Sequence, residues 1–184
     1  MCNEFCLRFI PDNMPEEAIA GKRILEVGAY NVNGSCRDRF CKYEPLSYIG
    51  IDIKLGPGVD VAIDVMNLEL SFGKESLDVI FSTEMIEHIP DWKKAINSMK
   101  NVLRVGGYIG LTTRSPGFPY HGYPNDFWRF TEADMRVIFD DYDIIGLEPD
   151  PDCGIGVVAR KKEATAKSLE GFDVMRVKRR RRRA

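Results

Sequence analysis

The sequence lacks the long apolar stretches that membrane insertion and secretion require. No run approaches the roughly 18 consecutive apolar residues of a membrane-spanning helix. The amino terminus also lacks a basic start followed by an apolar segment, the pattern of a signal peptide. With 184 residues, of which 44% are hydrophobic and 29% charged, the composition is that of one globular domain. We therefore expect a cytoplasmic protein with no membrane partner.

Cysteines are few, and their positions match no disulfide or metal-binding pattern. The five are Cys2, Cys6, Cys36, Cys41 and Cys153. An odd number at scattered positions argues against a disulfide framework. None of the spacings matches a zinc ribbon or the ligand set of an iron–sulfur cluster. We predict reduced thiols and no metal site.

The glycine-rich fingerprint of dinucleotide-binding domains is also missing, although the chain has a related arrangement. An apolar run over 24–27 ends in a glycine turn, and a second apolar run ends at Asp52. Tyr30 occupies the place where a second glycine would let backbone approach a pyrophosphate, and Glu26 would repel phosphate. A nucleoside with an ammonium group and no phosphate fits better, with Asp52 accepting hydrogen bonds from both ribose hydroxyls. S-adenosylmethionine is such a ligand.

Apolar runs alternate with helical segments along most of the chain. The predicted strands are 23–27, 48–53, 59–63, 77–82, 108–112, 142–147 and 155–160. The predicted helices are a short one over 15–20 and longer ones over 34–43, 91–103 and 131–139. Residues 1–14 show no period and are expected to form a loop or a frayed cap. Continuous apolar runs are typical of parallel strands covered on both faces. The expected fold is α/β: a Rossmann-like, seven-stranded, mostly parallel sheet with a C-terminal antiparallel hairpin and helices on both faces.

Five segments in order resemble those of class I S-adenosylmethionine-dependent methyltransferases of the small-molecule type, with a methyltransferase type 11-like domain. The segments are ILEVGAYNVNGS, YIGIDI, VAIDVMNL, LDVIFSTEMIEHIPDW and LRVGGYIGLTTRSPG. The resemblance covers about residues 22–160 and departs from many members at Tyr30. It implies a methyltransferase domain over 1–162, S-adenosylmethionine as cofactor, and in-line transfer of the methyl group to an acceptor.

The resemblance also implies a set of cofactor-binding residues at the ends of the first four strands. Glu26 would contact the methionine ammonium, and Asp52 would hold the ribose. Asp64 would bind the adenine amino group. The full implied set is Glu26, Gly28, Ala29, Gly34, Asp52, Ile53, Asp64, Val65 and Ser82.

Two further segments point to the acceptor. Glu84–His88 resembles the E-x-x-E-H segment of small-molecule members, so His88 is a candidate general base or orienting residue. The alternative is that His88 bonds a loop carbonyl and shapes the pocket. The aromatic segment 114–131 resembles P-x-D-[FY]-W-R-[FY]-T and predicts a lid, with His121 as a second candidate base. The residues expected to contact the acceptor are Glu84, His88, His121, Tyr123 and Arg129; alternatively, Asp126 and Arg129 pair to hold the loop.

The charge distribution leaves a second function open. Residues 160–184 hold eleven Lys and Arg residues against three Asp and Glu, and 163–184 are predicted to be a disordered basic tail. Such a tail favours a nucleic-acid methyltransferase, but the fourth strand lacks the Asn/Asp-Pro-Pro-Tyr/Phe turn of enzymes that methylate flipped bases. We favour a small-molecule or sugar-like acceptor with an oxygen, nitrogen or carbon nucleophile. A non-catalytic nucleotide-binding module is the remaining alternative.

Overall fold

One seven-stranded sheet organises the chain. In the computed structural model, which describes residues 3–122, 125–163 and 167–177, its strands are β1 (Arg23–Val27), β2 (Ser47–Asp52), β3 (Val61–Ala62), β4 (Leu77–Thr83), β5 (Leu103–Arg114), β7 (Tyr142–Asp150) and β8 (Gly154–Lys161). A separate pair joins β6 (Trp128–Arg129) to β9 (Met175–Arg176). Among the described residues, no helix is long and apolar enough to cross a membrane.

The order of the sheet is β3-β2-β1-β4-β5-β8-β7. The first five strands pair in parallel, and β8 runs antiparallel to both β5 and β7. This confirms the predicted fold class, including the terminal hairpin. The order reverses between β1 and β4, and in open α/β sheets ligands bind outside the carboxyl ends of the strands at such a point.

Helices cover both faces of the sheet. They are α1 (Glu4–Asp12), α2 (Arg37–Cys41), α3 (Leu68–Phe72), α4 (Trp92–Val102) and α5 (Glu132–Ile138). The buried side of α4, with Trp92, Ile96 and Met99, belongs to the larger core cluster on one face. The Thr131 side chain and Asp134 form a capping box that starts α5 as the sequence predicts.

The prediction of a loop or a frayed cap for residues 1–14 is wrong, because α1 occupies most of that segment. The side chain of Asn3 caps the helix by accepting a 3.0 Å hydrogen bond from the backbone of Cys6. Phe9 and Ile10 then pack against Phe81 in the second core cluster, on the other face of the sheet. These tertiary contacts stabilise a helix too short to form from its sequence preference alone.

The carboxyl-terminal segment is ordered further than the sequence predicts. Within residues 167–177, Leu169 and Val174 are buried in the larger core cluster, and Val177 donates a 2.7 Å backbone hydrogen bond to Phe127. The predicted disorder of 163–184 is therefore wrong over this described part. Residues 178–184, which hold the arginine run, lie outside the described residues, and the boundary at 162 stays a prediction.

Candidate active site

The turn after β1 is tied to the end of β2. The backbone amides of Gly28 and Ala29 both donate hydrogen bonds of 2.9 Å to the carbonyl of Ile51, the residue before Asp52. Gly28 has φ +79°, and a Cβ there would lie 2.8 Å from the side chain of Met85. Only glycine satisfies both the backbone conformation and this close approach. The turn and the carboxyl end of β2 therefore form one rigid edge.

Gly34 closes the same turn beneath the amino-terminal helix. Its amide donates a 2.8 Å hydrogen bond to the side chain of Asn31. Its φ is +128°, and a Cβ would meet Leu7 of α1 at 2.7 Å. Both turn glycines thus combine a positive φ with a neighbouring side chain that leaves no room for a Cβ. The contact with Leu7 also shows that α1 packs directly on the turn.

Glu26 is a buried carboxyl at the end of β1, with 5% of the residue exposed. The Tyr48 hydroxyl donates a 2.7 Å hydrogen bond to its Oε2 atom. Burial raises the pKa of Glu26 to about 7, although the Tyr48 hydrogen bond and the charge of Arg37 work in the opposite direction. An ammonium group placed beside this carboxyl would restore its ionised form.

The predicted adenosine-binding residues lie along the neighbouring strand ends. Asp52 ends β2 half-buried, and its carbonyl accepts a 2.9 Å hydrogen bond from the amide of Ile63. Ile53 follows with 76% of its surface exposed, an unusual position for a large apolar side chain. Asp64 is exposed and uses Oδ1 to cap the turn at Val65–Asn67 by accepting from Met66. These residues share the edge beyond β2 and β3.

Ser82 lies between this edge and the rest of the crevice. It is 1% exposed, and its Oγ has no hydrogen-bond partner among the described residues. The same Oγ would lie 3.7 Å from a Cβ built on Gly28. An unsatisfied buried hydroxyl beside a turn glycine fits a polar ligand at this position. The residues present therefore fit the amino-acid portion of S-adenosylmethionine, with Glu26 at the same end of the site.

Glu84 begins the segment after β4, in a left-handed conformation with φ +53°. Its carboxylate accepts a 3.2 Å hydrogen bond from the Cys6 thiol and pairs with Arg114, itself buried. Burial, followed by the charge of Glu87, raises the pKa of Glu84 well above its usual range. Both of these partners come from within the chain, and the predicted contact between Glu84 and the acceptor stays a prediction.

The next carboxyl, Glu87, faces both histidines of the chain. It is fully buried, and its Oε2 accepts a 2.8 Å hydrogen bond from the hydroxyl of Thr113. Its Oε1 lies 3.7 Å from Nε2 of His88 and 3.6 Å from Nε2 of His121. The two imidazole centroids are 4.8 Å apart. The structure thus brings together the two candidate bases, which are 33 positions apart in the sequence.

Each histidine is oriented by an oxygen on its far side. Nδ1 of His88 lies 2.5 Å from the carbonyl of Asn125, and Nδ1 of His121 lies 2.9 Å from the carboxylate of Asp126. Because both partners only accept hydrogen bonds, each Nδ1 carries a proton, and a neutral ring then presents the lone pair of Nε2 to the cluster. The predicted alternative for His88, a bond to a loop carbonyl, is therefore present in addition to its place in the cluster.

Arg129 holds the aromatic loop from within. It is 1% exposed, its two terminal nitrogens bond the two oxygens of Asp126 at 2.5 and 2.7 Å, and it reaches the carbonyls of Phe118 and Pro119. This matches the predicted pairing of Asp126 with Arg129, whereas the expected contact between Arg129 and the acceptor stays a prediction. Tyr123, the remaining predicted contact, lies outside the described residues.

Comparison with known proteins agrees with this geometry. Residues 38–111 match the family model of the methyltransferase domain. That segment of the chain therefore belongs to a methyltransferase domain. No curated protein matches the sequence.

Solved structures share the fold at low sequence identity. 1,6-Didemethyltoxoflavin-N1-methyltransferase from Burkholderia thailandensis gives a TM-score of 0.69 at 16% identity, over 88% of this chain and 80% of the other. A putative methyltransferase from Listeria monocytogenes gives 0.61 at 13% identity, over 85% and 96%. The [4+2]-cyclase SpnF gives 0.63 at 15% identity, over 85% and 79%. At these identities the likeness concerns the fold.

Sequence reasoning does not identify three members of the site. For Tyr48 a signal exists, because the period of two along β2 puts it on the side of the sheet that Glu26 occupies in β1. Glu87 lies inside the E-x-x-E-H segment, but the segment alone does not indicate its role. Thr113 gave no signal, because its role follows from the register between β4 and β5 and from the conformation after β4.

Proposed function

We propose that this chain is a class I S-adenosylmethionine-dependent methyltransferase that transfers a methyl group to the oxygen of a small, hydroxyl-bearing acceptor. The observation that carries the proposal is the cluster of Glu87, His88 and His121 at the carboxyl ends of β4 and β5. Two imidazole lone pairs and one carboxylate oxygen converge there. Such a cluster suits an acceptor that must lose a proton as it is methylated.

S-adenosylmethionine supplies a methyl group that is already activated by the positive charge on its sulfur. The chain's own residues have to bind and align the reactants, and such positioning can account for roughly 7–11 kcal/mol of the barrier. We assign the ammonium to Glu26, the ribose hydroxyls to Asp52, the adenine face to Ile53 and its amino group to Asp64. The Val65 amide and the Ser82 hydroxyl complete the set.

On the acceptor side, we assign proton uptake to the Nε2 atoms of the cluster. Asp126 accepts from Nδ1 of His121 and is itself fixed by Arg129, so it would stabilise a positive charge on that ring, as a carboxylate does in Ser-His-Asp triads. A positioned base of this kind contributes about 100- to 10,000-fold to a rate. A hydroxyl benefits from this help more than an amine does, because it is the weaker nucleophile until its proton is removed.

The neighbours supply context without fixing the acceptor. The Burkholderia thailandensis structure contains 1,6-didemethyltoxoflavin and S-adenosylhomocysteine, which makes a small-molecule acceptor a reasonable choice for this fold. SpnF, a cyclase, has a comparable fold, so the fold alone does not fix the chemistry. The acceptor class therefore depends on the cluster rather than on the likeness.

Calorimetry with S-adenosylhomocysteine, with NAD as the comparison, tests the cofactor half of the proposal. We expect heat with the nucleoside and none with NAD. An acceptor panel of matched alcohols and amines, read by formation of S-adenosylhomocysteine, tests the other half. Turnover confined to the amines would overturn the assignment of an oxygen acceptor, and heat with NAD alone would overturn the cofactor site.

A further inference from the structure

The Oε1 atom of Glu87 lies too far from the Nε2 atoms of the two histidines for a direct hydrogen bond. These buried polar atoms nevertheless need a partner. The contacts from Oε1 to the two Nε2 atoms are 3.6 and 3.7 Å, longer than any N–H···O hydrogen bond. Neither Glu87 Oε1 nor His121 Nε2 has a hydrogen-bond partner among the described residues. Glu87 is fully buried, so an unpaired carboxylate oxygen there is costly. Something positive belongs between these atoms.

The surroundings of each ring are those of a metal-binding histidine. Histidine ligands nearly always donate the other ring N–H to a carboxylate or a backbone carbonyl, which fixes the ring and leaves a lone pair for the ion. His121 donates to Asp126, and His88 donates to the carbonyl of Asn125. Asp126 is held in turn by Arg129, and Glu87 by Thr113. All three candidate ligands therefore have their orienting partners in place.

We propose that Glu87, His88 and His121 bind one divalent transition-metal ion. The three ligand atoms lie within 4.8 Å of one another, so binding one ion at the roughly 2.0–2.2 Å metal–ligand distances of such sites would require the rings to move inward. Two imidazoles and a carboxylate favour zinc, iron, manganese or cobalt over magnesium. Three protein ligands leave positions open, as in metal sites that act on a substrate.

The open positions give the ion a role in the same reaction. If the proposed oxygen transfer holds, the ion would bind the acceptor's hydroxyl and lower its pKa, as bound metals do for water. In the metal-bound protein the hydroxyl proton would then leave to solvent and the histidines would act as ligands, whereas the proton uptake assigned above to their Nε2 atoms would apply to the metal-free protein. This second step rests on the proposed function, whereas metal binding itself does not.

Metal binding is tested on purified, chelator-treated, untagged protein, without any acceptor. Calorimetry should show one equivalent of Zn²⁺ and of Mn²⁺ bound, with Mg²⁺ at least about 10-fold weaker. Cobalt substitution should give absorption bands without the thiolate charge-transfer band that cysteine ligands produce. No uptake, or a thiolate band, would overturn the site.

Matched variants locate the ion. His121→Ala and Glu87→Gln should each lower the affinity for Zn²⁺ at least about 100-fold. Loss of a residue that only orients a ligand lowers metal affinity by up to about 100-fold, so loss of a ligand should cost at least as much. Glu87→Gln is nearly isosteric, keeps an acceptor for Thr113 and offers its amide hydrogens to the imidazoles, so it should fold. Glu132→Gln, at an exposed position of α5, serves as the control and should bind Zn²⁺ like the parent. Equal affinity for Zn²⁺ in Glu87→Gln would place the ion elsewhere and overturn the proposal.

The chain has only two histidines, so nitrogen-15 spectra of the imidazoles report on this cluster alone. Metal-free protein should show both Nδ1 atoms protonated and both Nε2 atoms free. Addition of Zn²⁺ should shift both Nε2 resonances and leave the Nδ1 protons in place. Unmoved resonances at saturating Zn²⁺ would exclude the site. Because these spectra need no turnover, they show whether metal binding fails independently of whether methyl transfer fails.

Discussion

Tyr48 donates a 2.7 Å hydrogen bond to Glu26 across the first two strands of the sheet. Burial still leaves the pKa of the carboxyl at about 7, against a usual value of 4.5. Between these pH values the unfolded chain has lost the proton and the folded chain still holds it. Stability therefore falls as the pH rises across this window, by about 3 kcal/mol in all. The protein keeps a costly group at the place where a ligand ammonium would offset that cost.

We expect Glu26→Gln to be more stable than the parent above pH 7 and to bind S-adenosylhomocysteine less tightly. The amide still accepts the Tyr48 hydrogen bond but never ionises, so the fall in stability between about pH 4.5 and 7 should shrink. Denaturant unfolding at pH 5 and pH 8 measures the first effect, and calorimetry the second. A variant with the parent's pH dependence would show that Glu26 does not titrate as inferred.

Asp52 should hold the ribose, since its carboxylate ends β2 beside the turn at Gly28. Asp52→Asn keeps the shape and removes the charge that strengthens two hydrogen bonds. We expect S-adenosylhomocysteine to bind about 10- to 100-fold more weakly, with little change in stability because the side chain is partly exposed. Asp38→Asn, at an exposed position of α2, is the matched control and should bind normally. Unchanged affinity in Asp52→Asn would remove this residue from the site.

The sheet was predictable because its signals are local and repeated. Apolar runs that end in Glu26, Asp52 and Asp64 mark strands and the edge where they end, and the strand order follows from the usual rules for such sheets. The helix at α1 was not predictable, because its stability comes from packing of Phe9 and Ile10 on distant strands.

The acceptor side was only half predictable. The sequence supplied His88 and His121 as separate candidates from two segments. It gave no sign that both face the buried Glu87, since that arrangement depends on how the loop after β5 folds back over the turn after β4. The buried pairing of Arg129 with Asp126 sets that path, and its burial is a property of the fold rather than of the motif.

The Asp126–Arg129 pair should therefore be costly to break. Arg129→Met leaves a buried carboxylate without its partner, which we expect to lower the free energy of unfolding by about 3–5 kcal/mol. The Arg129→Met/Asp126→Leu double variant should recover part of the loss, because no unpaired charge remains. Urea denaturation of the parent, of Arg129→Met, of Asp126→Leu and of the double variant measures the coupling. Additive losses would mean that the two side chains act independently.

The carboxyl-terminal segment should divide at residue 177. A chain cut after Val177 keeps Leu169, Val174 and the short β9 pairing, so we expect its unfolding midpoint and its affinity for S-adenosylhomocysteine to match the parent. A chain cut after residue 163 exposes the core that Leu169 and Val174 cover, and each of these side chains contributes roughly 1.5–3 kcal/mol. Thermal unfolding of the parent and of the two shortened chains measures these differences.

The cut after Val177 also tests the nucleic-acid alternative, because it removes the five arginines that would bind phosphate. Loss of stability from that cut would show that the arginine run takes part in the fold.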